Sequence, residues 1–71
     1  MARTADPAID HAVLALLRPD AVRSSTDLSR ELTRSDFAVL GALTRLVAAG
    51  QAQRELIRGA SSYRYGYRRA G

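Results

Sequence analysis

The chain contains no cysteine. Neither a disulfide nor a thiolate zinc site can brace it. It contains no lysine, so all of its 11 basic residues are arginines. A GC-rich coding sequence produces that bias. It also makes every cation a planar fork that suits phosphate and guanine. No apolar run approaches the roughly 18 residues that span a bilayer, which argues against a membrane protein. The opening residues, Met1-Ala2-Arg3-Thr4-Ala5-Asp6, lack the apolar core of a signal peptide, so the expected location is cytoplasmic. Internal repeats and low-complexity segments are absent as well.

Catalytic signals are equally scarce. The one histidine, His11, shares a helix face with Ala15 and Arg18 and reads as a surface residue. A metal site built on it would have to recruit distant carboxylates. Serine, histidine and aspartate occur at no spacing that suggests a triad, and so short a chain is too small to enclose a water-excluding pocket. The expectation is a protein that is not an enzyme and uses no metal or cofactor.

The 71 residues suffice for a single domain, spanning 1–71 with residues 1–5 as a disordered tail. A domain of this size buries about 60% of its unfolded surface, which makes its core marginal. Charge is unevenly placed along it. Through Thr44, five arginines face five aspartates and Glu31; from Arg45 onward, six arginines face Glu55 alone. A basic C-terminal third points to a polyanionic partner, most often nucleic acid.

The segment that organises the chain is residues 33–50, TRSDFAVLGALTRLVAAG. Val39, Leu43 and Leu46 follow a 3.6-residue period and predict one helix. Ser35 is placed to cap it, Asp36 lies in its first turn, and Gly50 suits the left-handed position that ends it. Before it, Asp6-Pro7 opens a helix whose buried face is Ile9, Val13, Leu16 and Leu17, with Leu14 off that face. Arg18 suits that helix's C-terminal end and Pro19 stops it. Residues 21–23 predict a brief strand. Ser24 to Asp27 has capping-box spacing and starts a helix at about residues 25–32, with Leu28 and Leu32 in the core. A short helix, a tight turn at Thr33-Arg34 and a longer helix make a helix-turn-helix. After Gly50 the period changes. Residues 51–57 read as a weak strand, 58–62 as a hairpin tip, and 63–68 as a strictly alternating strand. That alternation puts the three tyrosines on one face and Arg64 and Arg68 on the other.

This order resembles the winged helix-turn-helix superfamily. The likeness rests on Leu28 and Leu32 four apart, then Val39, Leu43, Leu46 and Gly50 through the central helix, then a basic residue, Arg54, four beyond the glycine. It covers about residues 8–69. Residues 43–59 also resemble the winged helix that opens abortive-infection antitoxins, without the aromatic that follows Arg-Gly there. The superfamily implies an α+β, mostly helical domain: three helices, a C-terminal two-stranded β-hairpin wing and a possible short third strand. It implies double-stranded DNA as partner, a small transcriptional regulator as function, and a homodimer that reads two half-sites. On the helix the residues able to hydrogen-bond nucleic acid are Arg34, Ser35, Thr44 and Arg45, the candidate DNA-binding positions. On the wing they are Arg54, Arg58, Arg64, Arg68 and Arg69, whose geometry suits phosphate.

The chain departs from that pattern in one respect. Asp36, Phe37, Ala38, Leu40, Gly41 and Ala42 occupy central-helix positions that are mostly polar or basic in DNA-binding members. Such a helix is poorly supplied with donors for base edges. The leading expectation for Phe37, Leu40 and Gly41, which lie off the buried stripe, is a second face covered by the first helix and the sheet. The functional reading makes them a dimer or partner surface, and the dimer would use either Phe37 and Leu40 or Leu14 with the first helix. The second function class is a protein-interaction adaptor that does not read DNA. A third is RNA or single-strand binding through Tyr63 and Arg64. For the tyrosines the leading expectation is core packing, with Tyr65 filling the space beside the small Ala52.

Overall fold

A computed structural model describes residues 7–59 and 63–71. The expected tail at 1–5, the Asp6 cap and residues 60–62 of the hairpin tip lie outside the described residues. In order the elements are α1 (Pro7–Leu16), β1 (Arg23–Ser24), α2 (Ser25–Leu32), α3 (Asp36–Ala48), β2 (Ala52–Arg58) and β3 (Tyr63–Arg69). The three strands form one antiparallel sheet in the order β1-β3-β2. Three helices against a sheet whose last two strands are a hairpin give the α+β, winged-helix layout. Among the described residues no helix is long and apolar enough to cross a membrane.

Local chemistry sets the helix ends. Ser24 caps α2 by accepting from the Asp27 N–H at 3.1 Å, and Ser35 caps α3 by accepting from the Ala38 N–H at 3.1 Å. At the end of α3, Gly50 (φ 77°) donates to the Val47 carbonyl at 3.0 Å and Gln51 to the Leu46 carbonyl at 2.9 Å. This is a Schellman closure with glycine in its left-handed slot. Helix α2 closes the same way: Thr33 donates to Arg30 at 3.3 Å and Arg34 to Ser29 at 3.0 Å. Here the left-handed residue is Thr33 (φ 55°), a β-branched side chain where such a conformation is strained. Thr33→Gly should therefore raise the melting temperature. Relief of about 1 kcal/mol corresponds to roughly 4–8 °C in a domain this small. A lower melting temperature would mean that the Thr33 side chain makes a contact worth more than the strain.

The core joins Ile9, Val13 and Leu17 to Leu28, to Val39, Ala42, Leu43 and Leu46, and to Ala52 and Tyr67 of the sheet. Leu16 and Leu32, expected in the core, are half-buried at its margin. Tyr67, only 6% exposed, is the tyrosine that packs into the core with Ala52, whereas Tyr65 is 50% exposed. The expectation for Tyr65 is thereby corrected. Both lie on one face of β3, but Tyr65 is two residues nearer the hairpin tip, beyond the helices' cover.

Two boundaries also moved. Helix α1 ends at Leu16 because Arg18 is drawn into extended pairing. Arg18 bridges Ala21, and its carbonyl accepts from the Arg69 N–H at 3.0 Å. Pro19 favours that extended backbone in the residue before it. The short strand is Arg23–Ser24 rather than 21–23, since its ladder is set by Tyr67 and Gly66 of β3.

Candidate nucleic-acid interface

Register and alternation divide the hairpin into two faces. Ala52 lies opposite Arg69, and Arg54 opposite Tyr67. Ala52 and Tyr67 are buried toward the helices, so Arg54, Leu56 and Arg58 of β2 and Tyr65 and Arg69 of β3 share their face. The opposite face carries Gln53, Glu55 and Ile57 with Arg64, Gly66 and Arg68. The five wing arginines thus occur on both faces.

Their partners differ. Arg54 stacks over the Tyr65 ring at 4.6 Å, a cation–π contact that holds the guanidinium near the exposed part of the hairpin. Arg68 is half-buried, pairs with Glu55 at 2.8 Å and donates to Gln53 Oε1 at 3.1 Å, so its charge is largely compensated within the sheet. Arg58, Arg64 and Arg69 are exposed. Tyr63 pairs with Arg58 through the backbone at the end of the ladder.

The central-helix candidates are more constrained than the sequence suggests. Arg45 is turned toward α1 and forms a bidentate pair with Asp10, at 3.0 and 2.6 Å. The Arg45 hydrogen bonds hold the Asp10 carboxyl below its ordinary pKa, against a smaller opposing effect of burial. Thr44 is exposed, but its hydroxyl donates to the Leu40 carbonyl at 2.8 Å. Ser35 already uses its side-chain oxygen as the helix cap. Arg34 is exposed at the turn. Asp36 accepts a hydrogen bond from the buried Ser29 hydroxyl, which ties the start of α3 to α2.

The apolar candidates separate cleanly. Leu14 is half-buried and packs against the core. It also lines an open depression of about 370 Å³ whose charged groups, Asp10 and Arg45, are already paired. Phe37 is 88% exposed and Leu40 40% exposed, which corrects the expected cover of this face: α1 and β2 pack against the side of α3 that carries Val39, Leu43 and Leu46. His11 is exposed, as expected. Among the described residues no group of three His, Cys, Asp or Glu is placed to hold a metal ion.

Ion pairing leaves the helical part balanced. Arg18 pairs with Asp20, Arg23 with Glu31 and Arg45 with Asp10. Residues 1–51 hold six arginines and six carboxylates, while the hairpin strands hold five arginines and Glu55. The chain's entire formal +4 therefore resides in the hairpin. Sequence reasoning placed the boundary at Arg45 and missed this, because the partner of Arg45 lies 35 residues away in α1. No known family model matches the chain, and no curated protein matches it.

Proposed function

We propose that the chain binds double-stranded DNA, as a small transcriptional regulator, with the arginine-rich hairpin laid as a wing on the phosphate backbone. The observation that carries this reading is the segregation of charge: a neutral helical body and a hairpin that holds the whole +4. A projecting antiparallel ribbon with exposed arginines on both faces suits backbone contact. Arg54, Arg58, Arg64 and Arg69 are the phosphate ligands in this reading. Base reading is the weaker part. Ser35, Thr44 and Arg45 are engaged within the chain, as described above, and the exposed face of α3 is largely apolar. Binding is therefore expected to be backbone-led, with modest discrimination between sequences.

A titration of random duplex against salt tests this. Arg64→Ala should weaken binding about equally across sequences and reduce the magnitude of the salt slope by about one, as one fewer counterion is released. Arg68→Ala should change the slope by less, because Glu55 already compensates its charge. No duplex binding at low salt ends this reading. Strong duplex binding that ignores Arg64 keeps DNA as the partner but discards the wing mechanism.

Phe37 favours a second reading, a protein-interaction adaptor, since an aromatic ring 88% exposed on a helix is an association surface in waiting. In that case duplex affinity is no better than any comparably basic protein shows. The Arg54–Tyr65 stack is the feature that favours single strands. Tighter binding to single-stranded than to duplex DNA in the same titration would select that alternative.

A further inference from the structure

We infer that the hairpin face carrying Arg54, Leu56 and Tyr65 holds the flat faces of bases that have left the stack, so that the chain prefers a duplex interrupted by unpaired bases to an intact one. The inference rests on the DNA reading and names the kind of DNA.

The two hairpin faces differ in charge and in cover. The face with Arg64 and Arg68 also carries Glu55, a formal +1, and its centre is closed by Val22 and Ile57 over Gly66. Of the described residues, the strand positions of the other face hold Arg54, Arg58 and Arg69 and no carboxylate, a formal +3. Leu56 and Tyr65 stand directly opposite each other in the ladder, so their side chains are neighbours on that face. They are 55% and 50% exposed, beyond the helices that cover Ala52 and Tyr67. Arg54 lies over the Tyr65 ring at 4.6 Å. The more cationic face thus has an exposed centre made of an aliphatic chain, an aromatic ring and a guanidinium.

That combination selects the ligand. A contact with phosphates alone needs the arginines and gains nothing from Leu56. An intact duplex hides the faces of its bases and presents mainly polar edges in its grooves, the thymine methyl excepted. An unpaired base exposes a flat apolar face between phosphates, and such faces are bound by aromatic rings and by guanidinium planes. Tyr65 and Arg54 supply both, already in contact. A planar guanidinium stacked on one side keeps its other side for a base and its N–H edge for phosphate. Leu56, beside the ring, widens the apolar floor. An anionic lipid surface also matches cations around an apolar centre, but acyl chains have no flat π face for the stack to meet.

Fluorescence anisotropy tests this with an intact duplex, the same duplex carrying a short adenine bulge, that bulge built from abasic residues, and one of the single strands. The two bulged duplexes have the same phosphates and differ only in the bulge bases. The wild type should bind the adenine bulge roughly tenfold tighter than the abasic one, the scale of one stacked base. Leu56→Ala and Tyr65→Ala should each remove most of that preference, whereas Tyr65→Phe, which keeps the ring, should retain it. None of the three removes a charge, so the salt slope should hold. The exposure of both side chains predicts circular-dichroism melts close to wild type. Equal affinity for the two bulges overturns the inference, and if the intact duplex still binds, the DNA reading survives it. A preference that persists in both alanine variants overturns it as well. A single strand bound tighter than every duplex would fault the duplex reading and leave the base contact standing. No binding to any of these DNAs ends both. Phosphatidylglycerol vesicles that bind the wild type but not Leu56→Ala, with no preference for the adenine bulge, would make the face a membrane contact and overturn the inference.

Discussion

Leu43→Ala is expected to lower the melting temperature steeply, by roughly 4–8 °C for each kcal/mol lost. Leu43 is fully buried on the middle turn of α3, the helix that packs against α1, α2 and β2. Truncating such a leucine costs about 2–5 kcal/mol, the spread reflecting how far the surroundings collapse into the cavity. At roughly 0.05–0.15 kcal/mol per residue, a domain of this length has only about 4–10 kcal/mol in total. One substitution thus removes around half of it, and without a disulfide or thiolate metal site nothing makes up the loss. A thermal melt followed by circular dichroism, with a urea titration beside it, measures the effect. An unchanged melting temperature would mean that the assigned core is wrong.

Gly66→Ala should be the other severe change, although it adds a single methyl group on a strand. Gly66 is the centre of the sheet: β3 is the middle strand, and Gly66 pairs with Ser24 on one side and Glu55 on the other. The side chains of Val22 and Ile57 close over it. A Cβ there would lie 2.1 Å from Val22 Cγ1 and 2.4 Å from Ile57 Cδ1. Both side chains would have to move, at a cost of about 1–3 kcal/mol. Ile57 can swing its terminal methyl aside, but Val22 is branched at Cβ and has less freedom. The pair Gly66→Ala with Val22→Ala should therefore be more stable than the sum of the two single effects predicts, a coupling that a double-mutant cycle reads directly. Strict additivity would show that Val22 does not enforce the glycine.

Much of the fold is legible in local chemistry. Ser24, Ser35 and Gly50 each act within a few residues of where they stand, so the ends of α2 and α3 follow from the chain alone. The helical period marked Val39, Leu43 and Leu46, and the strict alternation of residues 63–68 marked β3. What escaped depends on residues far apart. Leu16 and Leu32 have the right period for the core, but period gives direction and not depth. Tyr65 and Tyr67 are equivalent in an alternating pattern, and only the extent of the helical layer above the sheet decides which is covered. The necessity of Gly66 is invisible until β1 brings Val22 beside β3.

The candidate interface divides in the same way. By itself the sequence determined that the C-terminal third is basic and that the central helix is short of polar side chains, because both are properties of composition and spacing. Only the tertiary structure decided how those charges are used. It paired Arg45 with Asp10 and Arg68 with Glu55, distributed the remaining wing arginines over two faces, and left Phe37 outside the core. The physical reason is that an ion pair or a covered ring depends on the distance between groups brought together by folding, and sequence separation says nothing about that distance.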